Sequence, residues 1–204
     1  GFVRVYEYIN NSWIKRGDDL YTSYGGGGTS VVLDNSGDIV VLSDYRTNAY
    51  SGSMGSYNWD GSQWVVRGGG SGSSPHDYYG YSIDLSGDGN KLVVGEPRDG
   101  SNSGVVFILD YGYYSGIQGY GFEHSIFGQN NEECGTSVSI SDDGSYVAIS
   151  SPMGSTVSNG PGFVKLYQNS FGWSEVALIS NSQANSSFGL GKHTVSLSGD
   201  ANSL

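Results

Sequence analysis

The sequence has one cysteine, four prolines, nine lysines and arginines, and no apolar run of membrane-spanning length. Each shortage excludes something. A single thiol, Cys134, leaves no disulfide framework within the 204 residues, and its expected role is that of a small buried apolar side chain. Nine basic residues against 20 acidic ones give a formal net charge of −11. That is the wrong sign for neutralising phosphates, so no nucleic-acid partner is expected. The apolar bursts are short: Val31-Val32-Leu33, Ile39-Val40-Val41-Leu42, Leu92-Val93-Val94 and Val105-Val106-Phe107-Ile108-Leu109. Such lengths suit buried strands and fall far below a membrane-spanning helix, so no membrane span is expected. No leader of charged then apolar residues follows Gly1, so any signal peptide is expected to lie upstream or to have been removed.

What is abundant is glycine, 34 residues, and tyrosine, 16. With charged residues at only 14%, the chain is turn-rich and poor in helix formers, which makes an all-β fold the expectation. Internal repetition follows. Gly28-Thr29-Ser30-Val31-Val32-Leu33, Gly80-Tyr81-Ser82-Ile83-Asp84-Leu85 and Gly135-Thr136-Ser137-Val138-Ser139-Ile140 share one pattern, and Thr194-Val195-Ser196-Leu197 echoes it. A polar turn follows each copy, over Asp34 to Asp38, Ser86 to Asn90, Ser141 to Ser145, and Ser198 to Asn202. Glycine in such a turn permits the positive φ a tight hairpin needs. A second landmark glycine begins another strand at Gly1, Gly52, Gly104 and Gly162, and tryptophan follows at Trp13, Trp64 and Trp173, where packing between units is expected.

The first landmarks are 52 and 55 residues apart and the second 51, 52 and 58. A unit of about 50–58 residues with four short strands has the size of a propeller blade. The units run over roughly 1–24 (partial), 25–78, 79–133, 134–187 and 188–204 (partial). Their strand count, 2 + 4 + 4 + 4 + 1, predicts fifteen strands and a fragment of a larger β-propeller or repeat array of four-stranded antiparallel blades.

The stretch from Tyr79-Gly80 through Asp88-Gly89 to Gly95-Glu96-Pro97, followed by Gly104, resembles the FG-GAP repeat family. Phe188-Gly189 keeps the name-giving pair, and Tyr79-Gly80, Cys134-Gly135 and Gly27-Gly28 replace it elsewhere. The resemblance implies an integrin-α-type β-propeller used for adhesion and for protein or glycan recognition. It also raises calcium, with Asp34, Asp38, Asp88 and Asp143 as candidate ligands. One or two carboxylates per loop fall short of the six to eight oxygens calcium prefers, so turn capping is the favoured role and no cofactor is expected.

No catalytic constellation is legible. His76, His124 and His193 lie in different units with no metal-ligand spacing, and the adjacent acids Asp18-Asp19 and Glu132-Glu133 point to opposite sides of an extended chain. The glycine runs Gly25 to Gly28 and Gly68 to Gly70 precede no helix, so they are expected to be flexible connections. Tyr78, Tyr79, Tyr81, Tyr113 and Tyr114 crowd one unit and form the candidate binding surface. Asn10 and Asn185 begin N-x-[ST] glycosylation acceptors, which points to an extracellular or cell-surface setting. The expectation is a non-catalytic adhesion or structural module binding protein or glycan, with self-assembly into a surface filament possible. The alternative is a carbohydrate-active propeller, lectin or glycoside hydrolase, with its catalytic groups outside this segment.

Overall fold

The computed structural model describes residues 1–114, 117–153, 162–180 and 193–204. Within them lie fourteen strands. A two-stranded hairpin pairs β1 (Tyr6–Ile9) with β2 (Ser12–Lys15). Three four-stranded antiparallel sheets follow, each a simple meander. The first holds β3 (Ser30–Leu33), β4 (Ile39–Asp44), β5 (Ser53–Trp59) and β6 (Trp64–Ser71). The second holds β7 (Ser82–Leu85), β8 (Lys91–Glu96), β9 (Val105–Tyr114) and β10 (Ile117–Phe127). The third holds β11 (Val138–Ile140), β12 (Tyr146–Ser151), β13 (Phe163–Asn169) and β14 (Trp173–Ser180).

The second strand of each sheet is apolar on both faces because it lies between two neighbours, and the period-2 alternation divides its side chains between them. Val41 packs toward Ile83, Leu85, Leu92 and Val94 of the second sheet. Its neighbours Val40 and Leu42 turn the other way, onto Val5 and Leu20. Likewise Val93 packs with Val138, Ile140, Val147 and Ile149 of the third sheet, and Ala148 meets Val195. The core is therefore a series of layers between consecutive sheets. Each fully buried valine or leucine in them contributes about 1.5–3 kcal/mol.

Successive sheets are also tied at one edge. In the Ser86 turn, Ser86 Oγ donates to Asp88 Oδ1 (2.7 Å) and accepts from Lys91 N (2.9 Å). The Ser141 and Ser198 turns repeat this arrangement with Asp143 and Asp200. The second residue of each turn joins a backbone series: Asn35 N donates to Gly87 O, Gly87 N to Asp142 O, and Asp142 N to Gly199 O, at 2.9–3.0 Å. The first and third turns also touch, since Asn35 Nδ2 donates to Asp142 Oδ2 at 3.1 Å. Four copies of one turn are thus linked edge to edge, a pattern consistent with blades of the β-propeller type.

Four expectations change. No strand forms over Thr194 to Ser198, because the amides of Val195 and Leu197 are taken by Ser137 Oγ and Ser139 Oγ instead of a ladder. Gly68 to Gly70 are not a flexible connection but part of β6. A Cβ on Gly69 would overlap Ser23 Oγ, and one on Gly70 would stand 3.2 Å from the Tyr79 hydroxyl, so glycine here permits close approach of neighbouring chain. The first strand begins at Tyr6 rather than Gly1, Val3 making only an isolated bridge to Leu20. Trp64 and Trp173 do join units, through Trp64 Nε1 to Arg16 O (2.7 Å) and Trp173 Nε1 to Glu123 Oε1 (3.3 Å). Trp13 is 70% exposed, and its ring lies 5.2 Å from that of Tyr8 within the same hairpin.

Candidate functional site

The meander gives each sheet two distinct ends. One carries the hairpin turns between first and second strands. The other, called the loop face below, carries the loops that leave the second strand and the chain that enters the next sheet.

On the loop face, β4 runs into Thr47–Tyr50 and β8 into Asp99–Asn102, two single turns of the same unusual conformation. Asn48, Ala49 and Tyr50 have φ of 50°, 54° and 63°, and Gly100, Ser101 and Asn102 have 55°, 63° and 60°. Left-handed backbone costs about 1–2 kcal/mol for each ordinary residue. Backbone bonds from the next connection hold it: His76 N to Ala49 O, Tyr78 N to Tyr50 O and Tyr79 N to Ser51 O, all at 3.0–3.1 Å. Glu133 N to Asn102 O and Cys134 N to Ser103 O do the same one unit on.

This lacing gathers aromatic rings from two loops. Tyr45 lies 5.1 Å from both Tyr78 and Tyr81, Tyr50 stacks on His76 at 5.7 Å, and Tyr78 stacks on Tyr81 at 6.2 Å. The Arg98 guanidinium lies 4.8 Å from the Tyr78 ring centroid. Tyr50 is 42% exposed, and Tyr45, Tyr78 and Tyr81 are partly exposed. The rings form a continuous amphipathic platform.

Three members of the expected tyrosine surface belong elsewhere. Tyr79 is in the core, its ring packed on Phe107 and its hydroxyl facing Met54 Sδ at 3.7 Å. Residues 78–81 form the turn that enters β7, with Tyr78 at φ of 67°, so the backbone there does not follow strand alternation and the neighbouring rings part company. Tyr113 and Tyr114 lie at the far end of β9, beyond the Lys91↔Asp110 pair at the turn end, and so do not share a surface with Tyr78 and Tyr81. Tyr114 lies over Gly121, with its hydroxyl donating to Asp110 O at 3.0 Å.

Beside the platform Glu96 ends β8, 3% exposed, with Oε1 lacking a hydrogen-bond partner. Burial, and then the charges of Asp77 and Asp99, push its carboxyl up to about 8. Asp77 is itself raised by burial and by Asp99. The equivalent residue of the first sheet, Asp44, is held below the ordinary carboxylate range. Burial alone would raise it, but hydrogen bonds from the Arg46 side chain and from the backbone of Arg46 and Gly27 more than offset that. Sequence reasoning noted Glu96 only as part of Gly95-Glu96-Pro97. The signal was an acid at the end of the apolar run Leu92-Val93-Val94, matched by Asp44 after Val40-Val41-Leu42.

The calcium candidates lie at the opposite, turn end. Asp88 accepts from Ser86 Oγ, Asn90 N and Asn90 Nδ2, and Asp143 from Ser141 Oγ, Ser145 N and Ser145 Oγ. Asp34 accepts from Ser36 and from Ile39 N (2.8 Å), while Asp38 pairs with Arg16. The oxygens of Asp34, Asp88 and Asp143 cap their turns. Among the described residues no three His, Cys, Asp or Glu side chains group closely enough to hold a metal ion. Cys134 is buried, and burial pushes its thiol up to about 12. Asn10 occupies the exposed β1–β2 turn with φ of 51°, whereas Asn185 and Phe188-Gly189 lie outside the described residues.

One further acid occupies the interior. Asp84 Oδ2 accepts from Ser139 Oγ and Ile140 N, each at 2.8 Å, and Oδ1 from its neighbour Leu85 N at 2.9 Å. Burial raises its carboxyl despite these three donors. Ser139 Oγ in turn accepts Leu197 N at 3.0 Å, so the contact continues from the second sheet to the final segment. These bonds are structural ties between neighbouring inner strands.

Among solved structures, the chain is similar to a putative 6-phosphogluconolactonase from Bacteroides fragilis, with TM-score 0.52 and 11% identity over 79% of this chain and 41% of that one. It is similar as well to a functionally unknown protein from Desulfotomaculum acetoxidans, with TM-score 0.52 and 16% identity over 91% of this chain and 52% of that one. The chain thus spans about half or less of the length of these structures, and the likeness is one of fold. No curated protein sequence matches it. The stretch that carries Tyr78, Tyr81, Asp84, Asp88 and Glu96 matches a family: residues 70–109, from the end of β6 through β7 and β8 into β9, match the FG-GAP repeat.

Proposed function

We propose that the chain is a non-catalytic recognition module of the β-propeller type that binds a protein or glycan partner at its loop face, outside the cell. The observation that carries this reading is the platform of Tyr45, Tyr50, Tyr78, Tyr81 and His76 with ring centroids 5.1–6.5 Å apart. Tyrosine offers large contact area at small entropic cost, together with hydroxyls for hydrogen bonding. The platform also rests on strained backbone held by neighbouring units, the kind of investment that accompanies binding loops. An extracellular setting is supported by the FG-GAP repeat and by the exposed acceptor at Asn10.

The test is a glycan and protein array probed with wild-type protein and with Tyr50→Ala and Tyr81→Ala. Ligand retention that falls at least tenfold in the variants, with no bond cleavage seen by mass spectrometry, is the expected result. Turnover of a bound glycan would defeat the non-catalytic reading. Retention unaffected by either substitution would move the site off the loop face.

A further inference from the structure

The last strands of the first and second sheets, β6 and β10, have no ladder partner on their outer sides among the described residues. These two edges meet: a Cβ built on Gly68 of β6 would stand 3.7 Å from the Cα of Gly119 in β10. Beside the meeting point opens a groove of about 270 Å³, lined by Gly68, Gly69, Tyr114, Gln118, Gly119 and Tyr120. Along an edge strand successive residues turn their N–H and C=O groups alternately toward the paired strand and away from it, so each edge presents unladdered peptide groups on its outer side.

Packing explains only some of the glycines here. Gly121 must be glycine because the Tyr114 ring lies over it, and Gly69 because Ser23 Oγ stands where its Cβ would be. Gly68 and Gly119 have no such reason. A Cβ on Gly68 would meet nothing nearer than Ser56 Oγ at 3.5 Å, and one on Gly119 nothing nearer than Arg67 O at 4.0 Å. Neither residue has the positive φ that favours glycine. Glycine inside a strand weakens it, and where packing does not demand it, it leaves the backbone open to close approach by another molecule. The aromatic walls, by contrast, are anchored. Tyr114 is 40% exposed with its hydroxyl on Asp110 O at 3.0 Å. The Tyr120 hydroxyl donates to Gly89 O at 2.6 Å, and its ring stands edge-on to Tyr111 at 5.3 Å.

We propose that this groove binds one neutral pyranose unit of a glycan. A pyranose combines apolar C–H faces with a rim of hydroxyls. The anchored Tyr114 ring offers aromatic surface to the first. The Gln118 amide and the outward peptide groups of the two edges offer donors and acceptors to the second. No residue lining the groove carries a charge, so the carboxylate of an acidic sugar would lose water there without gaining a counter-charge. The net charge of −11 opposes an anionic ligand further. The volume is just below the ~300 Å³ at which sites for drug-sized ligands begin, which suits a single ring. Tyr114 lies at the turn end of β9, away from the tyrosine platform, so the groove is a second site and stands or falls independently of the loop face.

The probes are the methyl glycosides of glucose, galactose, mannose and N-acetylglucosamine, titrated into the ¹⁵N-labelled full chain. At least one should give saturable shifts of the Gly68, Gly69 and Gly119 amides. Tyr114→Ala, at a half-exposed position, should weaken that binding about tenfold. Gly119→Ala, whose added methyl has room in the fold but enters the groove, should weaken it by a similar factor. Tyr113→Ala, 75% exposed and outside the groove, should leave it unchanged. Methyl glucuronide and methyl galacturonide should bind more weakly than the best neutral glycoside. The proposal is overturned if none of the four neutral probes moves these amides, if the shifts persist undiminished in Tyr114→Ala, or if a uronide binds as tightly as the best neutral probe. Shifts confined to Tyr50 and Tyr81, and lost in Tyr50→Ala, would overturn this site while upholding the platform.

Discussion

Replacing Glu96 by glutamine should change how stability depends on pH, with a sign that follows from its environment. Burial, and then Asp77 and Asp99, raise the folded-state value to about 8 from an ordinary 4.5. Below about pH 4.5 the carboxyl is protonated in both folded and unfolded chain and adds no pH dependence. Between about 4.5 and 8 only the folded chain keeps the proton, so unfolding free energy falls as pH rises, by about 1.4 kcal/mol per unit. Above about 8 both states are ionised and the loss levels off. A difference of 8 − 4.5 gives a full loss on the order of 5 kcal/mol, an upper bound because side chains relax around a buried charge. Glu96→Gln abolishes this term and leaves other groups in place. Urea unfolding followed by tryptophan fluorescence at pH 5, 6, 7, 8 and 9 should therefore show the variant gaining on wild type with each step to pH 8, then running parallel. A constant difference across that range, or a Glu96 carboxyl carbon titrating near 4.5 by NMR, would refute the account.

Other substitutions test the packing and the turns. Gly52→Ala and Gly104→Ala, at φ of 86° and 77°, would drive Cβ into the backbone of Tyr79 and Cys134, so each should cost more than about 3 kcal/mol in urea unfolding. Asp84→Ala strands the Ile140 N–H and the Ser139 hydroxyl, which should cost about 2–4 kcal/mol and speed Ile140 amide exchange. Asp88→Ala removes a turn cap and should cost about 1 kcal/mol, with equal thermal midpoints in calcium and in chelator. Val31→Asn should be nearly neutral because Val31 is 48% exposed, whereas Ile83→Asn, at the equivalent position with 1% exposure, should cost more than about 3 kcal/mol.

The comparison of Val31 with Ile83 marks a limit of reading a repeat from its sequence. Both occupy the same place in the pattern and both are β-branched. Ile83 and Leu85 are covered by the preceding sheet, including Ile39 and Val41, while Val31 and Leu33 are half exposed beside the N-terminal hairpin. Position within a repeat is local information; burial depends on which neighbour packs against it.

The tyrosines make the same point. Tyr78, Tyr79 and Tyr81 are close in sequence, and no pattern in the chain separates the buried ring from the two at the surface, because they lie in a turn with Tyr78 at positive φ rather than in a strand. Tyr45 and Tyr50 joined the platform only because two loops from different units are laced by backbone bonds.

By itself the sequence determined the repeat, its four strands and its capped turns. These features depend on contacts between residues close along the chain: alternation in a strand, glycine at positive φ, a serine and an aspartate two apart. The tertiary structure alone decided which acids are satisfied. Asp44 and Glu96 end the same strand and precede the same arginine, yet one is paired and the other is buried without a partner. The difference arises where Arg98 finds the Tyr78 ring, and that meeting depends on the packing of one sheet's loop against the entry to the next.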